Sequence, residues 1–242
     1  MARGLVRAFN LTKEAISMKV LFFDIETTGS WLHSTPFAKF QGGKPVYWDD
    51  AVSISVGDAD GNIVYSTYIS PSVEYWIHRD QWWKIDGVYN VDPANTIGEP
   101  TMYKVVQRKL KDLFDSADIV VAHNASFDTK VLLDSYVMSP DNGRRKTTNL
   151  SELFDTEFVC SKVLSKDHPL FDHTTHYDSC FAGNAKCNGS RLTHLHHQFG
   201  FGDYAEHDAS ADVKALANVW SVLSDIYDGS TGNTSYVCNL DS

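Results

Sequence analysis

The chain has 242 residues, an apolar share of 43% and a formal charge of −10 at neutral pH, which supports an ordinary buried core and argues against a surface that grips long nucleic acid by neutralising phosphates. The negative balance does not exclude an enzyme that holds a few nucleotides beside bound divalent metals, because such ions bring positive charge of their own. No apolar run approaches the roughly 18 residues of a membrane helix, and residues 1–18 lack the apolar centre and cleavage pattern of a secretory signal, so a soluble, cytoplasmic or otherwise intracellular protein with no membrane partner is expected.

In chain order, residues 1–17 read as an N-terminal extension. Residues 18–25, MKVLFFDI, form an apolar run ending in an acid, and residues 51–57, AVSISVG, alternate apolar with small or polar positions; both predict strands. Asp60, Gly61 and Asn62 predict a turn into a third strand, IVYSTYI. Between the first two strands, residues 29–50 make a connection rich in Gly, Pro and aromatics that is long by loop standards, a candidate rim or lid.

Residues 71–100 show no sustained period. Met102, Val105, Val106, Leu110, Leu113 and Phe114 then have helical spacing, residues 117–122 read as a buried strand, and 126–138 resume a helical pattern. That pattern stops at Pro140 to Gly143, before the basic Arg144, Arg145 and Lys146. Residues 156–164 are short and apolar, with helix and strand both open, and residues 165–190 are loop-like. A short helix around Leu192, Leu195 and Phe199 ends at Gly200, and 209–226 is the clearest helix of the chain. Residues 229–242 read as a tail. Strands first and helices alternating later favour a three-layer α/β fold with a mixed sheet.

Acidic residues stand at three points of this plan. Asp24 and Glu26 are two apart on the first strand and share one face, near the strand's C-terminal end, where α/β sheets place their ligand sites. Asp128 follows the second buried strand, inside VVAHNASFD, in the first turn of the next helix. Asp212 closes the run His207-Asp208-Ala209-Ser210-Ala211-Asp212. Positions five apart on a helix diverge by about 140°, which puts His207 in the preceding loop and Asp212 in the early helix, with Asp208 as N-cap. Each point has a bland account as a solvated strand end, a first-turn acid or a cap. Together, four carboxylates suit a pair of hard divalent cations about 3.5 to 4 Å apart, and a histidine titrating near neutrality suits removal of a proton from an attacking water.

The segments FFDIETTG (22–29), VVAHNASFD (120–128) and HDASAD (207–212) closely resemble the three motifs of the DnaQ-like 3′–5′ exonucleases, in the DEDDh branch whose third motif reads H-x-A-x-x-D. The resemblance spans about Lys19 to Ile226. It implies a ribonuclease H-like fold, a mixed five-stranded sheet flanked by helices, over an exonuclease domain at 18–228. It implies two Mg2+ or Mn2+ ions: Asp24 touching both, Glu26 and Asp212 helping to hold the ion that activates water, Asp128 supporting the second, and His207 as general base. Thr27, Thr28 and Gly29 match the segment lying against the terminal nucleotide, with His123 and Asn124 in the nearby wall. Leu192 to Leu195, Phe199-Gly200 and Asp155-Thr156 carry weaker similarity, while the long segments 29–50 and 165–190 depart from the compact pattern and bear on substrate range.

Removal of nucleoside monophosphates from DNA 3′ ends, with single strands favoured, is therefore the expected activity, in replication, proofreading or repair, with any polymerase partner supplied in trans. An RNA-directed exonuclease is the second enzymatic reading, since no named residue reads a 2′-hydroxyl. A non-catalytic subunit that binds nucleic acid or a polymerase is the alternative of a different class, against which the complete set of acids and His207 weighs. His173, His176, Cys180 and Cys187 form a mixed series of the ligand types of structural zinc. Its spacing matches no standard finger, and surface histidines with unrelated cysteines are the more economical account. Trp76, Trp82 and Trp83 are candidates for stacking on bases or for packing a long loop.

Overall fold

The structure, a computed structural model, describes residues 18–27, 50–71, 93–143, 149–171 and 191–227, with the backbone of 39–41 and 44–46. A mixed sheet of five strands has the order β5-β4-β1-β6-β7. Its strands are β1 (Val20–Thr27), β4 (Ala51–Gly57), β5 (Ile63–Tyr68), β6 (Ile119–Ala122) and β7 (Glu157–Cys160). The central strand β1 runs antiparallel to β4 and parallel to β6, while β4 and β5 are antiparallel and β6 and β7 parallel. Two three-residue strands, β2 (Lys39–Gln41) and β3 (Lys44–Val46), pair antiparallel within the long connection 29–50.

The alternation of β1 explains the three layers. Leu21, Phe23 and Ile25 face one side and join Val106, Leu110, Phe114, Leu132 and Phe158 in one buried cluster. Val20 and Phe22 face the other and join Val121, Val159, Leu195, Leu216 and Trp220. The first side is covered by α1, a continuous run of Met102–Val105, a π-helical turn Val106–Leu110 and Lys111–Asp115, and by α2 (Ala125–Met138). The second is covered by α3 (Leu192–Gln198) and α4 (Ala209–Leu223). Residues 156–164, open between helix and strand in the sequence, divide into β7 and a single turn at Ser161–Leu164. Among the described residues, no helix is long and apolar enough to cross a membrane.

Helix α4 lies close on the sheet because β4 ends in glycine. A Cβ on Gly57 would stand 2.5 Å from Cγ1 of Val213, a fully buried residue one position beyond Asp212. Ala209 and Ala217 are also buried on α4, so small side chains let the helix approach. Replacing Gly57 with Ala forces Val213 and its helix outward, and overpacking of this kind costs about 1–3 kcal/mol. The Gly57→Ala protein should unfold at correspondingly lower urea concentration; an unchanged midpoint would show that the contact is slack.

Candidate active site

Asp24 and Glu26 leave β1 on the side that faces α4, as their spacing predicts. Across the sheet they pair with Ser55 and Ser53 of β4. The register shifts between Glu26 and Thr27, an irregularity of the type that re-aims side chains at strand ends. Asp212 comes from the first turn of α4. One carboxylate oxygen each from Asp24, Glu26 and Asp212 lies within 4.8 Å of the others. Asp128, 3% exposed, arrives from the opposite layer in the first turn of α2, where its carboxylate accepts the backbone N–H of Ile25 and its own. Its charge acts on Asp24, so the central strand's end is where acids from both layers meet.

Packing carboxylates together out of water penalises the charged form twice, by lost hydration and by mutual repulsion. Burial, followed by the charges of Asp128, Asp212 and Glu26, pushes Asp24 well above the ordinary carboxylate range. Burial raises Asp128 as well, against the backbone N–H groups that favour its anion. Glu26 is pushed up to about 8 by burial and then by Asp212 and Asp208. Asp212 is raised only to about 6: burial lifts it, and hydrogen bonds from the Tyr204 hydroxyl and the His207 backbone, with the His207 charge, oppose the rise. An all-oxygen donor set of this kind fits hard divalent cations such as Mg2+ or Mn2+, whose charge would remove the repulsion.

His207 occupies the loop ahead of α4, as expected from its five-residue separation from Asp212. Its φ of 63° is left-handed, a conformation uncommon outside glycine, and its backbone N–H donates to Asp212 Oδ2 at 3.1 Å. Asp208 caps the helix by accepting the Ala211 N–H at 2.9 Å. His207 and Glu26 line one cleft with Ser53, Ser55, Ser66, Tyr68 and Ser210. Ser55 Oγ lies 2.9 Å from Ser66 Oγ and 2.8 Å from Ser210 Oγ, joining the start of α4 to β4 and β5.

In the second motif a backbone turn, rather than a side-chain cap, starts the helix. Asn124 precedes α2 with φ of 70° and makes no side-chain cap bond, and Ser126 lies inside the helix rather than at its start. The turn is made by the left-handed backbone at Asn124, whose carbonyl accepts the Phe127 N–H at 2.7 Å. His123 lies with Nδ1 3.0 Å from Ser161 Oγ, which links the loop to the end of β7. Thr27 is buried. Thr28, Gly29, Trp76, Trp82, Trp83, Arg144 to Lys146 and the series His173, His176, Cys180 and Cys187 lie outside the described residues. Tyr204 was not singled out in the sequence, because it belongs to no period and stands eight residues before the acid whose proton affinity it lowers.

No family model and no curated protein matches the sequence. The fold is nevertheless shared with solved structures. The zinc-ion-bound form of an E. coli ExoI–ssDNA complex aligns over 86% of this chain and 41% of that one, with 16% identity and a TM-score of 0.52. Exonuclease I in complex with the inhibitor BCBP aligns over the same shares with 17% identity and a TM-score of 0.52. The chain thus spans about two-fifths of the length of these neighbours. The chain has the ribonuclease H-like fold, a mixed five-stranded sheet with flanking helices, as the motif resemblance implied.

The raised carboxylates set a pH dependence whose sign follows directly. Between the ordinary carboxylate range and about 8 for Glu26, the folded protein retains protons that the unfolded chain has released, so these acids lower stability as pH rises through that window. In EDTA the melting midpoint should therefore fall from about pH 5 to about pH 8, more steeply than in a Glu26→Gln variant. Added Mn2+ should raise the midpoint more at the upper end of that range than at the lower. Equal slopes for the two proteins in EDTA would mean that Glu26 is not held protonated.

Proposed function

We propose that this chain is a metal-dependent 3′–5′ exonuclease that releases nucleoside monophosphates from DNA 3′ ends by two-metal-ion hydrolysis, with single strands favoured. The observation that carries this reading is the convergence of Asp24, Glu26 and Asp212 within 4.8 Å at the end of the central strand, with Asp128 beside them. The order of the three motifs around that point, and a neighbour of the same fold that is a complex with single-stranded DNA, support the polarity and the substrate class.

A bound pair of divalent ions supplies Lewis-acid charge to the attacking and leaving oxygens. In this reading Asp24, Glu26, Asp212 and Asp128 would hold the ions, Glu26 and Asp212 helping with the one that would activate water and Asp128 with the second. His207 takes the proton of the water as its oxygen forms the new bond to phosphorus, and the bond from phosphorus to the leaving 3′-oxygen breaks in line. That oxygen is protonated from solvent and remains as the new 3′ end. His207 is suited to this by its place on the rim of the cleft that Glu26 lines, where it is exposed enough to exchange the proton with water. Thr27, Thr28 and Gly29, with His123 and Asn124, would line the terminal nucleotide. Roles in proofreading or repair, with a polymerase in trans, are compatible with this chemistry.

The test uses 5′-labelled single-stranded DNA, duplexes with paired or mismatched 3′ ends, and matched RNA, each with Mg2+, Mn2+ or EDTA. Stepwise 3′ shortening of DNA is expected with metal and none with EDTA; no shortening with either metal would overturn the enzymatic reading, and a ladder on RNA alone would replace the substrate. Asp24→Ala should abolish cleavage. His207→Ala should slow single-turnover cleavage by at least about 100-fold while Mn2+ still binds, and full activity in that variant would remove His207 from its role.

A further inference from the structure

The register of the sheet lines up side chains across three strands. Asp24 on β1 pairs with Ser55 on β4, and Ser55 pairs with Ser66 on β5, so all three leave the sheet on the face that α4 covers. Ser55 is 1% exposed. Its Oγ lies 2.9 Å from Ser66 Oγ and 2.8 Å from Ser210 Oγ, with 3.4 Å between the outer two. A hydroxyl gives one proton and accepts at two lone pairs, so the buried Ser55 donates to one neighbour and accepts from the other.

Ser210 stands in the first turn of α4, two residues before Asp212. Two residues turn a helix by about 200°, which sets Ser210 and Asp212 on opposite flanks of the buried stripe of Ala209, Val213 and Leu216. The first turn therefore straddles the row of side chains beneath it. At one end Ser210 is bonded to Ser55, and at the other a carboxylate oxygen of Asp212 lies within 4.8 Å of one from Asp24. Repulsion between the two acids works to lift the turn from the sheet, and the hydroxyls hold it down. Farther along, α4 is seated by Val213 against Gly57 and by His196 of α3. The Nδ1 of His196 lies 2.8 Å from the Gly202 carbonyl and its Nε2 3.1 Å from the Asn218 amide nitrogen. Helices fray at their ends, so a tie has most effect in the first turn.

A serine in a helix can bond its own backbone or water, and alanine would serve the helix itself better. Here the hydroxyl instead crosses to a buried partner on β4, beside the strand position that carries Asp24. We propose that Ser210 is a positioning residue of the metal centre: its bond to Ser55 fixes the first turn of α4 on the sheet and so holds Asp212 against Asp24 and Glu26, where the three receive a divalent ion. This rests on the reading of those acids as metal ligands, and not on which nucleic acid is cleaved.

The experiment compares the full chain with its Ser210→Ala and Ser66→Ala variants. Mn2+ binding is followed by the paramagnetic resonance signal of the free ion, and folding by the melting midpoint in EDTA. Each variant removes one hydroxyl and leaves Ser55 the other as a partner. The EDTA midpoint should therefore fall by no more than about 2–4 °C in either, the scale of one lost hydrogen bond in a chain of this size. Only Ser210→Ala cuts the tie between helix and sheet. In that variant Mn2+ binding should weaken by at least about 3-fold, within the roughly 2–30-fold effects of residues that act through packed neighbours; the loss in Ser66→Ala should be smaller. Cleavage by Ser210→Ala should need more Mn2+ and recover when Mn2+ saturates, a rescue that general loosening of the fold does not produce. A smaller loss of affinity in Ser210→Ala overturns the proposal while leaving the exonuclease reading intact. An equal loss in Ser66→Ala does the same, because it traces the effect to the sheet edge rather than to α4. The expected Mn2+ result in a protein whose wild type cleaves no nucleic acid supports the proposal and removes the exonuclease reading. A wild type that binds no Mn2+ overturns the proposal together with the reading of the acids as metal ligands.

Discussion

Carboxylates brought within 4.8 Å of one another and partly withdrawn from water repel, and this repulsion is the constraint around which the site end of the sheet is arranged. Left to themselves the acids would separate or take up protons, and the raised proton affinity of Glu26 and Asp24 is the second of these responses. What resists the first is rigid support from every side. Asp24 and Glu26 are set on the central strand between two neighbours, Asp128 is fastened to the backbone of that strand at Ile25, and Asp212 is held by the His207 backbone N–H from the loop before α4.

That support depends in turn on the layers behind it. Phe22 and Phe23, both fully buried, point to opposite faces of β1 and anchor the strand in two separate apolar clusters. The position of Asp212 follows from how closely α4 can lie on the sheet, which Gly57 allows by presenting no Cβ to Val213. The serine hydroxyls of β4, β5 and α4 add a polar tie next to the cleft. Packing well away from the chemistry therefore reaches it through one helix and its first turn.

Much of this was legible before any coordinates. The apolar runs gave β1, β4 and β6 nearly to their ends, the period of residues 209–226 gave α4, and the five-residue separation of His207 and Asp212 placed one in a loop and the other in a helix. Residues 156–164 stayed ambiguous because a four-residue buried strand followed by one helical turn has too few positions for either period to emerge. At Asn124 the left-handed backbone, and not a side-chain cap, makes the turn, a choice settled by how the loop joins β6 to α2.

The sequence alone determined the ingredients: alternation that commits each strand to its faces, acids at the points where strands and helices end, and the motif order that names their relationship. Those are local properties, carried by neighbours two to five residues apart. Only the tertiary structure decided that Asp24 and Asp212, separated by most of the chain, share one site, and that the His207 backbone turns back onto Asp212 while His196 ties the preceding loop to α4. Such contacts depend on which face of a helix meets which face of a sheet, and no spacing along the chain encodes that.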